Sequence, residues 1–213
     1  MWHQEVVEML PKLRDTYRDH ADIINTLNEF EKTFLYPGSQ EYFEGIIPRD
    51  SETVLAHNDA QENNILASLY DTTHIIFIDF EYTSWNPRAM DIANYFSETM
   101  LDNAHPLENG IKPYIQNFIN EREQEFLIRC YLQQYFRKYY NKITKISEES
   151  FIENELPILR AEVHKCLLLN NYFWGVWSIR MLKAEKIGET TVFNFDFAKA
   201  RVAMFNHVKS LYF

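Results

Sequence analysis

Between residues 53 and 80 the chain gives up the helical spacing of apolar residues that it keeps almost everywhere else. Residues 53–56 and 65–69 are short apolar runs, and 74–80 (HIIFIDF) is rich in Ile and Phe and too short for an ordinary helix, so all three read as strands. On the amino-terminal side Val6, Leu10, Leu13 and Tyr17 share one helical face and Ile23, Leu27, Phe30 and Phe34 another. That pattern predicts two amphipathic helices, followed by turn chemistry at 36–39 (YPGS) and a loop over 40–52 that contains Gly45 and Pro48. After Pro87 the spacing is helical to the end of the sequence: 89–101, then 121–140 with Phe126, Cys130 and Tyr131 on one face, then 193–213. A long pattern over 151–186 precedes the last of these, opened by Ser150 and Glu153 at the spacing of a capping box. Pro157 falls in the first turn of a helix that starts late or kinks the longer one, and both remain open. Short strands set among long helices predict an α+β, predominantly helical domain over 1–213, with a small β element embedded in it.

Composition narrows the function classes. With 46% hydrophobic and 24% charged residues the chain can bury a sizeable core, which excludes a disordered or fibrous protein. A formal net charge of -10 repels a phosphodiester backbone, so nucleic acid is not an expected partner, and small cations are weakly favoured. Cys130 and Cys166 lie in helical stretches without a CxxC or Cys/His cluster, and two buried free thiols are expected. No uncharged apolar run approaches the ~18 residues of a membrane span. The expectation is a soluble, cytoplasmic protein without membrane insertion.

The chemistry-bearing window is 54–66 (VLAHNDAQENNIL), in which His57, Asp59, Gln61, Glu62, Asn63 and Asn64 stand between two apolar runs. Asp59 and Asn64 have the D-x-x-x-x-N spacing of a phosphoryl-transfer loop, where a carboxylate takes the proton of an attacking hydroxyl and an amide oxygen holds Mg²⁺. Taken alone, the window fits a polar hairpin equally well. Fifteen residues after Asn64 the third strand candidate ends in Asp79, followed by Glu81, and a strand-end carboxylate supplies the second hard oxygen that Mg²⁺ accepts. Further on, Trp174 and Trp177 in YFWGVWS share a helical face, and Glu98 lies on the helix pattern after Pro87. A quaternary ammonium is recognised by ring faces and a nearby carboxylate, although a Trp pair at helical spacing fits a helix core as well.

LAHNDAQENNIL followed by FIDFEYTSWNPRAMDIANYFSE resembles the paired signatures of the choline and ethanolamine kinases, a branch of the protein-kinase-like phosphotransferases. The resemblance implies the C-terminal lobe of that fold, with the β element carrying the catalytic loop. It implies Asp59 as catalytic base, Gln61 beside the nucleotide, and Asn64 and Asp79 as the Mg²⁺ ligands. Glu81 and Tyr82 match residues lining the same cleft, and Asp91 matches an Asp that supports the loop. Glu98, Trp174, Trp177 and Phe197 match the pocket that receives the substrate cation. ATP as co-substrate, an amino alcohol as acceptor, the first step of phosphatidylcholine or phosphatidylethanolamine synthesis and a homodimer are implied in the same way.

Two positions depart from the choline-specific pattern. Asn103 stands where a Tyr is expected five residues after the pocket Glu, and Phe197 in DFAKAR replaces a second Tyr, which leaves choline and ethanolamine both open. The nucleotide-covering half of a kinase is not legible either. The five glycines form no glycine-rich loop, Lys12 and Lys32 are the only lysines ahead of Asp59, and residues 1–56 are too few for an amino-terminal sheet lobe. Besides the kinase lobe, the sequence therefore admits a catalytically incomplete fragment or a non-catalytic ammonium-binding lobe. A third reading, a kinase of aminoglycosides or similar amino-bearing alcohols, fits the Trp pair less well.

Overall fold

The structure, a computed structural model, describes residues 2–34, 51–71, 73–105, 110–140, 142, 145–182 and 192–213. The turn expected at 36–39, most of the loop at 40–52 and the end of the long helix beyond 182 lie outside the described residues. Helices α1 (Trp2–Thr16) and α2 (Ala21–Phe34) open the chain. Leu10, Leu13, Tyr17, Ile23 and Leu27 turn inward, as the apolar spacing predicts.

Six short strands follow: β1 (Thr53–Ala56), β2 (Ile65–Ala67), β3 (Ile75–Phe77), β4 (Ser84–Pro87), β5 (Leu101–His105) and β6 (Gly110–Pro113). They form three antiparallel pairs, β1 with β4, β2 with β3 and β5 with β6. The polar window after β1 is therefore not a hairpin turn, because the strands on its two sides belong to different sheets. β2 and β3 are shorter than the apolar runs suggest, and Asp79 lies two residues beyond β3 instead of ending it. The last three strands are not anticipated by the sequence pattern. β4 reads SWNP, and β5 begins at Leu101, which helical spacing assigns to the preceding helix.

Among the described residues four more helices follow: α3 (Met90–Glu98), α4 (Glu121–Tyr139), α5 (Glu148–Met181) and α6 (Val192–Tyr212). Helix α4 begins with a capping box that the sequence reading overlooked. The Asn120 side chain accepts from Glu123 N at 3.1 Å, and the Glu123 carboxylate accepts from Asn120 N at 3.3 Å. At α5 the expected box at Ser150 is displaced by one turn. Ser147 is the cap, accepting from Ser150 N at 3.1 Å, and Pro157 falls well inside one continuous helix. α5 touches every other helix and is buried on all sides from Cys166 to Val176, so its apolar pattern has no polar face. Cys166 is buried as expected, whereas Cys130 is only partly so; both are free thiols.

Ionic and hydroxyl contacts fasten the β element to these helices. Arg88, directly after β4 and almost fully buried, donates to Glu162 at 3.1 Å and to Glu155 at 2.9 Å, both on α5. The Tyr135 hydroxyl on α4 reaches Glu52, just before β1. These contacts fix the catalytic-loop candidate relative to the helical core.

Candidate active site

The loop after β1 is shaped by a residue in a conformation that few side chains tolerate. Asn58 has φ 70°, a left-handed value that Asn adopts at less cost than most residues with a β-carbon. Its side chain is fully buried. Nδ2 donates to Tyr82 O at 2.8 Å, Ser84 Oγ at 2.9 Å and Ala56 O at 3.2 Å, and Oδ1 accepts from Asn86 Nδ2 at 2.7 Å. From the other side Asp91, in the first turn of α3, accepts the backbone N–H of His57 at 2.9 Å and of Asn58 at 2.7 Å. Hydrogen bonds to an ionised acceptor are about twice as strong as neutral ones, so α3 holds the loop firmly. His57 itself is structural. Its Nε2 donates to Ile78 O at 2.8 Å while Nδ1 accepts from Asp59 N at 3.3 Å, which requires the neutral Nε2–H tautomer. The ring packs on Phe77 and Phe80.

This scaffold presents Asp59. Asn64, buried in the single turn Glu62–Asn64, donates from Nδ2 to Asp59 O at 2.9 Å and to Asp59 Oδ2 at 2.8 Å. With its amide hydrogens committed to Asp59, the oxygen Oδ1 is the atom Asn64 can offer a cation. Asn64 O in turn accepts from Ile78 N at 3.0 Å, which sets Asp79 one residue farther along. Asp79 also has a left-handed φ, 63°, and its side chain is exposed toward the cleft. Burial, with the Glu98 charge adding to it, pushes the Asp59 carboxyl up to about 6 against the opposing pull of the Asn64 hydrogen bond and the Arg201 charge.

Asp59, Gln61, Asp79, Glu81, Tyr82, Glu98, Trp174, Trp177 and Phe197 line one cleft of about 320 Å³, so every site residue expected from the sequence except Asn64 borders the same space. Asn64 stands behind Asp59. The Tyr82 ring meets Trp174 edge-on at 5.0 Å between centroids and Trp177 at 6.0 Å, and the two Trp rings meet at 5.2 Å. Trp174 is thus both buried against the core and part of the cleft wall, which joins the two readings of the Trp pair.

The sequence reading missed Asn58, Asn86 and Arg201, and gave Asn63, which it named in the polar window, no role of its own. Asn63 lines the cleft beside Gln61 and donates to its Oε1 at 3.2 Å. Arg201 on α6 is 2% exposed and donates to Glu98 Oε1 at 2.5 Å and to Asn171 Oδ1 at 3.4 Å. A signal for it was present, since Arg201 interrupts the apolar stripe of Phe197, Ala198, Met204, Phe205 and Val208, and a cation on a buried face needs a buried anion.

Comparison with known proteins fits this geometry. A family model described as choline/ethanolamine kinase matches residues 3–207. Choline kinase alpha of Mus musculus is 34% identical over 141 residues, covering 64% of this chain and 30% of that protein. The choline/ethanolamine kinase of Homo sapiens is 34% identical over 131 residues, covering 61% and 32%. The chain thus spans about a third of the length of these curated relatives. Among solved structures, a choline kinase from Cryptosporidium parvum Iowa II superposes with a TM-score of 0.60 at 24% identity, covering 99% of this chain and 55% of that one. At that identity the likeness establishes the fold.

Proposed function

The chain belongs to the choline/ethanolamine kinase family, and on that footing we propose that it transfers the γ-phosphoryl group of MgATP to the hydroxyl of a small amino alcohol. The observation that carries this reading is the Asp59–Asn64 hydrogen bond at 2.8 Å beside a cleft that Tyr82, Trp174, Trp177 and Glu98 also line. Such rings and a carboxylate suit an ammonium group, while Asp59 and Asp79 suit a hydroxyl and a phosphate-bound cation.

In the proposed reaction the substrate hydroxyl oxygen bonds to the γ-phosphorus, the bond from that phosphorus to the ADP oxygen breaks, and the hydroxyl proton passes to the Asp59 carboxylate. Asn64 keeps Asp59 aimed through its Nδ2. Asn64 Oδ1 and the Asp79 carboxylate are the oxygens that would hold Mg²⁺, which neutralises phosphate charge when bound. Such a pair suits an ion that takes one or two protein ligands and keeps phosphate and water for the rest. Among the described residues no three His, Cys, Asp or Glu side chains gather into another metal cluster. The phosphorylated amino alcohol is the first intermediate of phosphatidylcholine or phosphatidylethanolamine synthesis. Both substrates are dissolved in the cytoplasm, the compartment we assign; among the described residues no helix is long and apolar enough to cross a membrane.

The same reading makes this chain the catalytic and substrate lobe of the fold. Leu66 and Ile76, paired across β2 and β3, share one face of these strands, Ile75 and Phe77 lie on the other, and all four are exposed, as is Phe80. This exposed apolar ribbon supports a seat for the nucleotide-covering lobe, and the 55% coverage of the solved choline kinase agrees in extent.

The test is transfer of labelled γ-phosphate to choline and to ethanolamine at millimolar MgATP. A product that forms with the wild type and falls about 10² to 10⁴-fold with Asp59→Asn supports the proposal. Amine binding without product favours the non-catalytic ammonium-binding lobe instead.

A further inference from the structure

We infer that the amine end of the cleft is built for an ammonium that carries N–H groups, in preference to a quaternary one, and that Asn103 sets this preference. The inference rests on the phosphotransferase reading for the substrate class and adds which amino alcohol the pocket favours.

Charge is the first argument. Glu98, the carboxylate of the aromatic wall, is 7% exposed and pairs through Oε1 with Arg201 Nη2 at 2.5 Å. The pair is buried together and sums to zero. A quaternary ammonium has only charge and ring faces to bind through, and here Glu98 is already compensated; a primary ammonium carries the same charge and adds N–H groups. One ring is engaged as well, since the Arg201 guanidinium lies over Phe197 at 4.6 Å from its centroid.

Hydrogen bonding is the second argument. Asn103, on β5, lines the cleft and stands 3.3 Å from Glu98 Oε2. A carboxylate can only accept, so the amide nitrogen faces Glu98 and Oδ1 is the acceptor that Asn103 can offer a ligand. Glu98 Oε2, engaged by that one long bond, has further acceptor capacity. Two oxygens at a partly buried wall match N–H donors and cannot be satisfied by N-methyl groups. A primary ammonium gives up more water on binding than a quaternary one, so it gains only where acceptors replace that water, and this wall supplies them. Sites built to hydrogen-bond a substrate group discriminate strongly against analogues that lack it.

The experiment is calorimetric titration of the chain with ethanolamine, N-methylethanolamine, N,N-dimethylethanolamine and choline. Affinity is expected to fall along the series, with the largest step at loss of the last N–H and ethanolamine about tenfold tighter than choline. Asn103→Leu, which keeps the volume and removes the acceptor, is expected to narrow the ratio to about twofold by weakening ethanolamine. Choline binding as tightly as ethanolamine, or a ratio unchanged in the folded Asn103→Leu variant, overturns the inference and leaves the phosphotransferase reading intact. Failure of every amine to bind at tens of millimolar overturns both.

Discussion

Asn58 holds a left-handed backbone, φ 70°, with a buried amide that bonds to three acceptors and one donor. Two substitutions separate these roles. Asn58→Gly keeps the backbone freedom and loses the hydrogen bonds, whereas Asn58→Ala loses both and is expected to be less stable than Asn58→Gly by about 1 kcal/mol in urea denaturation. Equal stability of the two variants would show that the backbone strain is immaterial. The Glu98–Arg201 pair makes a second case. Arg201→Met leaves Glu98 buried and uncompensated and is expected to cost about 3 to 5 kcal/mol, while the double variant Arg201→Met with Glu98→Gln recovers most of the loss. Additive losses in that double-mutant cycle would contradict a direct pair. Asp59, Asn64 and Asp79 were legible because the chemistry demands those residue types at that spacing. Asn58 and Asn86 were not, since nothing in an Asn marks it as buried and fully bonded until the strands on either side are paired.

At the scale of elements, the long helices were legible and the short strands only in part. Helical periodicity accumulates over α4, α5 and α6, whereas β4 carries Asn86 and Pro87 in its four residues and β5 reads LDNAH. β4 is held in place by tertiary contacts such as those of Arg88, directly after it, with Glu162 and Glu155. The packing of α5 on α6 supplies a pH-dependent prediction. His164 on α5 stacks on Tyr212 of α6 at 3.6 Å between ring centroids and approaches Gln124 Oε1 at 3.2 Å. Burial, aided by the nearby Arg160 charge, pulls its imidazole down to about 4. The unfolded chain protonates His164 near pH 6.5, so between about 6.5 and 4 the unfolded state binds the extra proton. Stability present above pH 6.5 is therefore lost as the pH falls through that window. His164→Phe, which keeps the ring and cannot protonate, is expected to show a smaller drop in melting temperature than the wild type between pH 7 and pH 4.5. An identical drop would contradict a His164 contribution.

Across the whole molecule the apolar surface is unevenly placed. The helices enclose one continuous core from Leu10 to Val208, while β2 and β3 expose Leu66, Ile75, Ile76 and Phe77. Ile76→Lys is expected to change the unfolding free energy in urea denaturation by no more than about 0.5 kcal/mol, as for other exposed positions. A large loss would mean that β3 packs against the chain itself. The sequence made the division between helical core and β element visible through its change of apolar spacing. It could not reveal that β2 and β3 stay exposed, because exposed and buried strands carry the same Ile-rich and Phe-rich runs.

Catalysis by Asp59 across the cleft is the claim on which the rest depends. Its most direct test is phosphorus NMR of the chain incubated with millimolar MgATP and ethanolamine, run beside Asp59→Asn. The account predicts a phosphomonoester signal of the amino alcohol that grows as ATP is consumed and is suppressed about 10² to 10⁴-fold in rate by the substitution. A phosphomonoester that forms equally in both samples, or in neither, would contradict it.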